Sequence, residues 1–97
     1  MCYSIEEIRL KTVPIAMKHG ISRMCLFGSY ARGEANDDSD VDLYVDKGKM
    51  NSLIKYMSFV YELENELKCH VDVVTTGIRD KLFLENIQSE GIVLYEE

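Results

Sequence analysis

The chain has 97 residues and a formal net charge of −6. Its length predicts a single domain over residues 1–97, which buries roughly 60 to 70% of the surface that the unfolded chain exposes. No apolar run approaches the roughly 20 residues that cross a bilayer, and the negative charge disfavours binding along the phosphate backbone of a nucleic acid. The N-terminal segment is acidic where a secretory signal would be basic and apolar, so a cytoplasmic location is expected.

A capping box near the N-terminus predicts the first helix. Ser4 is followed three residues later by Glu7, and at a helix start each of these side chains can bond the backbone N–H of the other residue. Pro14 removes a backbone donor, so we expect it to interrupt or kink the helix, or to start a second short one, before Gly20 ends it. The apolar positions that predict the buried face are Ile5, Ile8 and Val13.

A short apolar run and a glycine-serine turn come next. Residues 24–27 are flanked by polar or turn residues, which favours a strand buried on both faces with Cys25 in the core. Gly28 allows the backbone to approach a ligand closely, and Ser29 supplies a hydroxyl. A brief helix is predicted over residues 30–33, and if Ser29 begins it, the free N–H groups there favour an anion.

Two aspartates alternate with apolar residues after a polar loop over residues 34–39. Successive side chains of a strand point to opposite faces, so Asp40 and Asp42 are expected on one face of a strand over residues 40–46. The other face is expected to hold Val41, Leu43 and Val45. Two carboxylates about 4 Å apart repel by roughly 4 kcal/mol at an effective dielectric of about 20, and an oxygen-seeking cation such as Mg2+ relieves that repulsion. The alternative, an acidic surface loop without a ligand, does not explain the alternation.

The spacing of apolar residues predicts a long helix over residues 50–67. Its apolar arc covers roughly 220°, whereas about 100° suffices to pack one face against a core. Part of this helix is therefore expected either to face a partner or to be sandwiched between the sheet and the terminal helices. One side of the helix is expected to hold Leu53, Val60, Leu63 and Leu67.

An aspartate interrupts the next apolar strand, which is predicted over residues 70–74. A carboxylate in such a strand is costly unless it is paired or binds a metal. If this strand lies beside the preceding one, Asp72 completes a cluster with Asp40 and Asp42. An edge-strand aspartate that faces water is the alternative.

The remaining elements and the cysteines add little chemistry. The three cysteines are odd in number and lack CxxC spacing, so they are expected to be reduced thiols and not a disulfide framework. A zinc site at Cys69 and His70 is disfavoured. A helix is predicted over residues 78–89 before Gly91, and a last strand over residues 92–95. The residues of that helix expected to point inward are Leu82, Phe83 and Ile87.

The glycine-serine turn and the aspartate pair belong to one longer motif. Gly28-Ser29, ten further residues and Asp40-Val41-Asp42, within LFGSYARGEANDDSDVDLYV, resemble the motif of minimal nucleotidyltransferases of the DNA polymerase beta superfamily. In its short length and its Ala-Arg-Gly triplet at residues 31–33, the chain resembles the antitoxin subunits of toxin-antitoxin pairs whose toxin is a HEPN-domain protein. The resemblance implies an α/β (α+β) fold, the nucleotidyltransferase palm, in which a small mixed sheet carries helices mainly on one face.

The resemblance implies a site for ATP and Mg2+. Asp40 and Asp42 are expected to hold Mg2+, and Asp72 is expected to bind a second ion and to help deprotonate the attacking hydroxyl. Arg32 could instead pair with acidic neighbours. The residues expected to bind the nucleotide are Gly28, Ser29 and Arg32.

The resemblance also implies a function and a partner. It implies that the chain is an antitoxin that transfers AMP from ATP to a tyrosine hydroxyl of a HEPN toxin RNase and so neutralises it. Two other functions stay open: a non-catalytic antitoxin that binds its toxin stoichiometrically through the wide apolar helix face, and a nucleotidyltransferase that acts on a small molecule. These residues do not identify the acceptor of the nucleotide.

Overall fold

The helices and strands follow the predicted order along the chain. The computed structural model describes residues 3–46, 48, 52–75, 82, 85 and 89–96. Its elements are α1 (Ile5–Lys18), β1 (Arg23–Phe27), α2 (Gly28–Arg32), β2 (Val41–Asp46), α3 (Leu53–Leu67), β3 (Val71–Thr75) and β4 (Ile92–Glu96). Each predicted strand is present to within one or two residues at its ends.

The strands form a mixed sheet in the order β3-β2-β1-β4. β1 pairs antiparallel with β2 and with β4, whereas β2 pairs parallel with β3. A parallel pair cannot be joined by a tight hairpin, and α3 supplies the crossover from β2 to β3. The mixed sheet is therefore as expected, and β3 lies at one edge of it.

The core lies between one face of this sheet and the helices α1 and α3. The β2 residues Val41, Leu43 and Val45 are fully buried, which confirms the predicted alternation. The opposite face of β2 is therefore free to carry polar groups. The other large apolar side chains that are fully buried are Ile8, Ile21, Met24, Leu26, Phe59, Leu63 and Leu67.

Helix α1 is continuous through Pro14, so the predicted interruption is wrong. The capping box is confirmed, because Ser4 Oγ accepts the Glu7 N–H at 3.1 Å and the Ser4 N–H donates to Glu7 Oε1 at 3.0 Å. Pro14 is exposed on the same side of the helix as the exposed Leu10. The Leu10 carbonyl, which loses its helical donor, can therefore bond water instead. Gly20 has φ +75 and follows the end of the helix, as predicted.

Helix α3 begins at Leu53, and the predicted start at Met50 lies outside the described residues. Leu53 is 73% exposed, so its expected place on the buried side is wrong. The apolar arc is wider than one packing face, and periodicity alone does not determine which part of it meets the sheet. The buried residues of α3 are Phe59, Leu63 and Leu67. Other large apolar residues of this helix that stay exposed are Ile54, Met57 and Tyr61.

Two side chains of α3 bond the outer edge of β3. The Tyr56 hydroxyl donates to the carbonyl of Val73 at 2.9 Å, and the Glu64 carboxylate accepts the N–H of Val71 at 3.2 Å. These bonds satisfy backbone groups that an edge strand would otherwise leave unpaired. They also fix β3 relative to α3.

The helix predicted over residues 78–89 lies mainly outside the described residues, including Phe83 and Ile87. Leu82 is helical, but it is 74% exposed and does not point inward as expected. A short apolar pattern gives the spacing of a helix but not the face that meets the sheet. Across the described part of the chain, no helix has the length and apolar character of a membrane span.

Candidate active site

Gly28 follows β1 directly and lies against the carboxylate of Asp42. The strand register pairs Phe27 with Asp42, so the next residue along the chain comes beside the Asp42 side chain. Gly28 has φ +73, and a Cβ there would overlap Asp42 Oδ2 and lie 3.1 Å from Asp42 Cγ. Glycine alone allows both this left-handed backbone and this close approach without strain.

The short helix α2 begins at Gly28 and contains Ser29, so the predicted brief helix is confirmed and starts two residues earlier than expected. Its N-cap, Phe27, provides no side-chain cap bond, and the first N–H groups of a helix have no partner within the helix. Gly33, with φ +73, follows its last residue. The glycine-serine turn therefore presents backbone N–H groups at the end of β1 that adjoins Asp42.

Asp40 and Asp42 lie at the start of β2. Asp40 directly precedes the strand and is exposed, whereas Asp42 belongs to the strand and is half-buried. Because alternate side chains share a face, both carboxylates lie opposite the buried residues of β2. This is the arrangement that the alternation predicted.

Asp72 is the direct neighbour of Asp42 on the adjacent parallel strand. The condition for a three-carboxylate cluster is therefore met, because the strand that carries Asp72 lies beside the strand that carries Asp42. The Asp72 side chain is also 54% exposed on an edge strand. It faces water, as the alternative proposed, but it faces the other two carboxylates as well.

The crowding of these carboxylates changes the acidity of Asp42. Burial is the largest cause, and together with the negative charges of Asp72 and Asp40 it raises the pKa of Asp42 from 3.8 to about 6. The positive charge of Arg32 acts against this rise. Carboxylate oxygens are the ligands that Mg2+ prefers, so the three aspartates fit a divalent cation. Such a cation would relieve the repulsion between their carboxylates.

Comparison with known families identifies the class of enzyme that carries this site. The family model for polymerase beta nucleotidyltransferases matches residues 11–97. The chain belongs to this family. It is a nucleotidyltransferase, a class of enzyme that uses a nucleotide substrate together with a divalent metal.

Known relatives of this nucleotidyltransferase agree with that assignment. A Methanocaldococcus jannaschii protein provisionally named protein adenylyltransferase MJ0435 is 40% identical over 89 residues, which cover 92% of this chain and 96% of that protein. A solved structure provisionally described as a minimal nucleotidyltransferase is 33% identical with a TM-score of 0.78, and the match covers 93% of this chain and 95% of that chain. The fold is thus that of the minimal nucleotidyltransferases.

A more distant structure shares the fold of this nucleotidyltransferase. It is the complex of a tri-AMPylated Shewanella oneidensis HEPN toxin with an MNT antitoxin, and its match has a TM-score of 0.71 at 18% identity. The match covers 96% of this chain and 73% of that chain. At this identity the likeness concerns the fold alone.

Arg32 of this nucleotidyltransferase is engaged by two carboxylates. Its Nε lies 3.1 Å from Glu34 Oε2, and one terminal nitrogen lies 3.7 Å from Glu90 Oε2. The hydrogen bond to Glu34 is the main cause of a raised Arg32 pKa. Pairing with Glu34 is the alternative that the sequence left open, and Glu90 is a partner that the sequence did not suggest.

His70 is a residue of this site that sequence analysis did not assign to it. His70 Nε2 lies 2.9 Å from Asp72 Oδ1, and Nδ1 lies 3.2 Å from Glu64 Oε2. Asp40, His70 and Asp72 each offer one atom that could bind a metal, and these three atoms lie within 4.8 Å of one another. The hydrogen bond to Asp72 raises the pKa of His70. His70 and Asp72 are two residues apart, which places both side chains on one face of an extended chain. This spacing could have assigned His70 to the site from the sequence.

Proposed function

We propose that this nucleotidyltransferase is a Mg2+-dependent protein adenylyltransferase and antitoxin. In this proposal it transfers AMP from ATP to a tyrosine hydroxyl of a partner HEPN toxin and thereby neutralises that RNase. The observation that carries the proposal is the convergence of Asp40, Asp42 and Asp72 beside Gly28 at the first turn of α2.

The choice of AMP and of a protein acceptor is supported by the names of similar proteins. The M. jannaschii relative, which matches nearly the whole chain, is provisionally named a protein adenylyltransferase. The more distant complex contains a HEPN toxin that carries AMP groups. We extend both properties, AMP transfer and a HEPN partner, to this chain as part of the proposal.

The three aspartates would hold the metal in this proposal. Asp40 and Asp42 would bind one Mg2+ together, and Asp72 would bind a second ion with them. Bound Mg2+ neutralises the triphosphate and polarises the attacking and the leaving oxygen. The pKa of Asp42, about 6, means that this carboxyl is largely ionised at neutral pH and available as a ligand.

The protein would position both substrates for an in-line displacement. Gly28 and Ser29 would bind the outer phosphates through the N–H groups at the start of α2, and Arg32 would contact a phosphate. The tyrosine oxygen forms a bond to the α-phosphorus, the bond from that phosphorus to the bridging oxygen breaks, and pyrophosphate leaves. Asp72 would accept the proton of the tyrosine hydroxyl. The contribution of the protein is mainly orientation and charge stabilisation.

A partner protein is supported by the surface of α3. Leu53, Ile54, Met57 and Tyr61 are each more than 60% exposed, although large apolar residues of a helix usually pack against something. We propose that residues 1–97 form a single minimal nucleotidyltransferase domain in the cytoplasm and that the toxin contacts this face. The net charge of −6 makes direct binding to nucleic acid unfavourable.

The test is to incubate this protein with labelled ATP, Mg2+ and the protein encoded beside it. We expect covalent label on a tyrosine of that neighbouring protein and loss of its RNase activity. Tight binding without label would favour the stoichiometric antitoxin instead. Label on a small molecule in the absence of the protein partner would favour the third function.

A further inference from the structure

Asp72 lies on an edge strand, where the backbone alone does not fix the direction of its carboxylate. The side chain is 54% exposed, and among the described strands β3 pairs with β2 alone. An exposed side chain samples several rotamers, and the like charge of the neighbouring Asp42 favours rotamers that point away. A donor on the other side of Asp72 would counteract this effect.

His70 provides that donor, and Glu64 holds the other side of its ring. His70 Nε2 lies 2.9 Å from Asp72 Oδ1, while Nδ1 lies 3.2 Å from Glu64 Oε2. The same Glu64 oxygen accepts the N–H of Val71 at 3.2 Å. Glu64 belongs to the last turn of α3, beside the buried Leu63. A continuous set of contacts thus runs from a packed helix to Asp72.

We propose that Glu64 and His70 are positioning residues that hold Asp72 in the orientation used for catalysis. This inference rests on the proposed function of Asp72 as a metal ligand and proton acceptor. His70 bonds one carboxylate oxygen of Asp72, and Glu64 acts on Asp72 through His70. Such outer contacts to ligating side chains commonly change metal affinity or activity by about 10- to 100-fold.

Substitutions test whether the two residues act through Asp72. We expect His70→Ala to lower kcat by about 10- to 100-fold with little change in the KM for ATP, because Gly28 and Ser29 are untouched. Glu64 also accepts the Val71 N–H, so Glu64→Gln, whose amide oxygen can keep that bond, is used in the double variant. Since Glu64 acts on Asp72 through His70, the Glu64→Gln, His70→Ala double variant should be no slower than His70→Ala alone. Glu66→Ala is the matched control, because Glu66 lies on the same helix and contacts Lys11 at 3.7 Å instead of the site.

Two further measurements separate positioning from a structural or a ligating role. His70→Gln keeps an amide donor that can reach Asp72, so it should recover part of the lost kcat, and its melting temperature should match that of the wild type. Titration with Mn2+ followed by electron paramagnetic resonance should show affinity weakened by about tenfold in His70→Ala. Spin-echo spectra of the wild-type protein with Mn2+ should show no coupling to an imidazole nitrogen.

The outcomes distinguish this inference from the proposed function. If the wild-type protein transfers AMP and His70→Ala transfers it equally fast, the positioning role is wrong and the proposed function stands. Additive losses in the double variant, or a nitrogen of His70 bound directly to Mn2+, would also overturn it. If the wild-type protein neither binds Mn2+ nor transfers AMP, both proposals are wrong.

Discussion

At the residue scale, the contact between Gly28 and Asp42 places the strictest demand on the sequence. A Cβ at position 28 would overlap the Asp42 carboxylate, and the backbone there has φ +73. Gly33 has the same φ, but a Cβ at position 33 would meet nothing within 4 Å. Alanine substitution at each of the two glycines therefore distinguishes the effect of backbone strain from the effect of displacing Asp42.

We predict that Gly28→Ala abolishes AMP transfer, with a loss of at least about 100-fold, because Asp42 must move away from its place in the site. Gly33→Ala carries the backbone strain alone, about 1 to 2 kcal/mol for a left-handed residue, and should keep most of the activity. Urea unfolding and the transfer assay measure the two effects separately. Equal activity of the two variants would contradict the close contact.

The raised pKa of Asp42 predicts how stability changes with pH in a metal-free sample. The unfolded chain loses the Asp42 proton near pH 4, whereas the folded protein keeps it until about pH 6. The folded state therefore holds the Asp42 proton more tightly in this range, and the contribution of Asp42 to the free energy of unfolding falls as the pH rises from about 4 to about 6. The raised pKa of His70 acts in the same direction at higher pH.

Asp42→Asn removes the Asp42 part of this pH dependence. After allowance for the exposure of the site, we expect the variant to be more stable than the wild type by about 1 kcal/mol at pH 8 in EDTA. This corresponds to about 4 to 8 °C in melting temperature for a domain of this size. Mg2+ should stabilise the wild type and have little effect on the variant. A variant that is less stable at pH 8 in EDTA would argue against crowded carboxylates.

At the element scale, the alternating strands were the most predictable part of the fold. The alternation of β2 correctly separated the buried valines and leucine from the two aspartates, because one face of a strand must be apolar to pack. The capping box also fixed the start of α1 correctly. Local chemistry determines both features, so neither depends on distant contacts.

Features that depend on tertiary packing were less predictable. Pro14 does not interrupt α1, because its exposed side allows water to replace the lost hydrogen bond. Leu53 and Leu82 are exposed instead of buried, because a wide or short apolar pattern fits more than one orientation. The contact between Glu64 of α3 and His70, which directly precedes β3, has no local signature in the sequence.

The end of α3 offers a test of backbone strain next to the site. Lys68 ends this helix with φ 56, a left-handed conformation that side chains other than glycine rarely adopt. We predict that Lys68→Gly raises the free energy of unfolding by about 0.5 to 1 kcal/mol, because the relief of strain exceeds the added entropy of the unfolded chain. Chemical denaturation measures this change, and a loss of stability would contradict the left-handed cap.

The exposed face of α3 offers a test of partner binding. We predict that Met57→Lys weakens the complex with the toxin by at least about tenfold, because a charge replaces an apolar contact. Ser58→Lys is the matched control, because Ser58 is the next residue and is also exposed on the polar side of the helix. Isothermal titration calorimetry gives both affinities. Equal weakening by both variants would indicate a general charge effect instead of docking on this face.

At the scale of the whole molecule, the order of strands assembles the site. β2 lies in the sheet between β1, which leads into Gly28, and β3, which carries Asp72. The sequence predicted the three pieces separately, but their convergence was conditional on a strand order that only long-range packing determines. The family resemblance implied only that the strand of Asp72 lies beside the strand of Asp40 and Asp42, and the structure agrees with that placement.

The central claim is that the clustered carboxylates perform Mg2+-dependent transfer of AMP. The most direct measurement is the transfer of label from ATP labelled at the α-phosphorus to the partner toxin by the wild type, Asp42→Asn and Asp46→Asn. Asp46 is the matched control, because it lies exposed at the far end of the same strand. We predict transfer by the wild type and by Asp46→Asn, and a loss of about 1,000-fold or more in Asp42→Asn. Wild-type rates in Asp42→Asn would contradict the account.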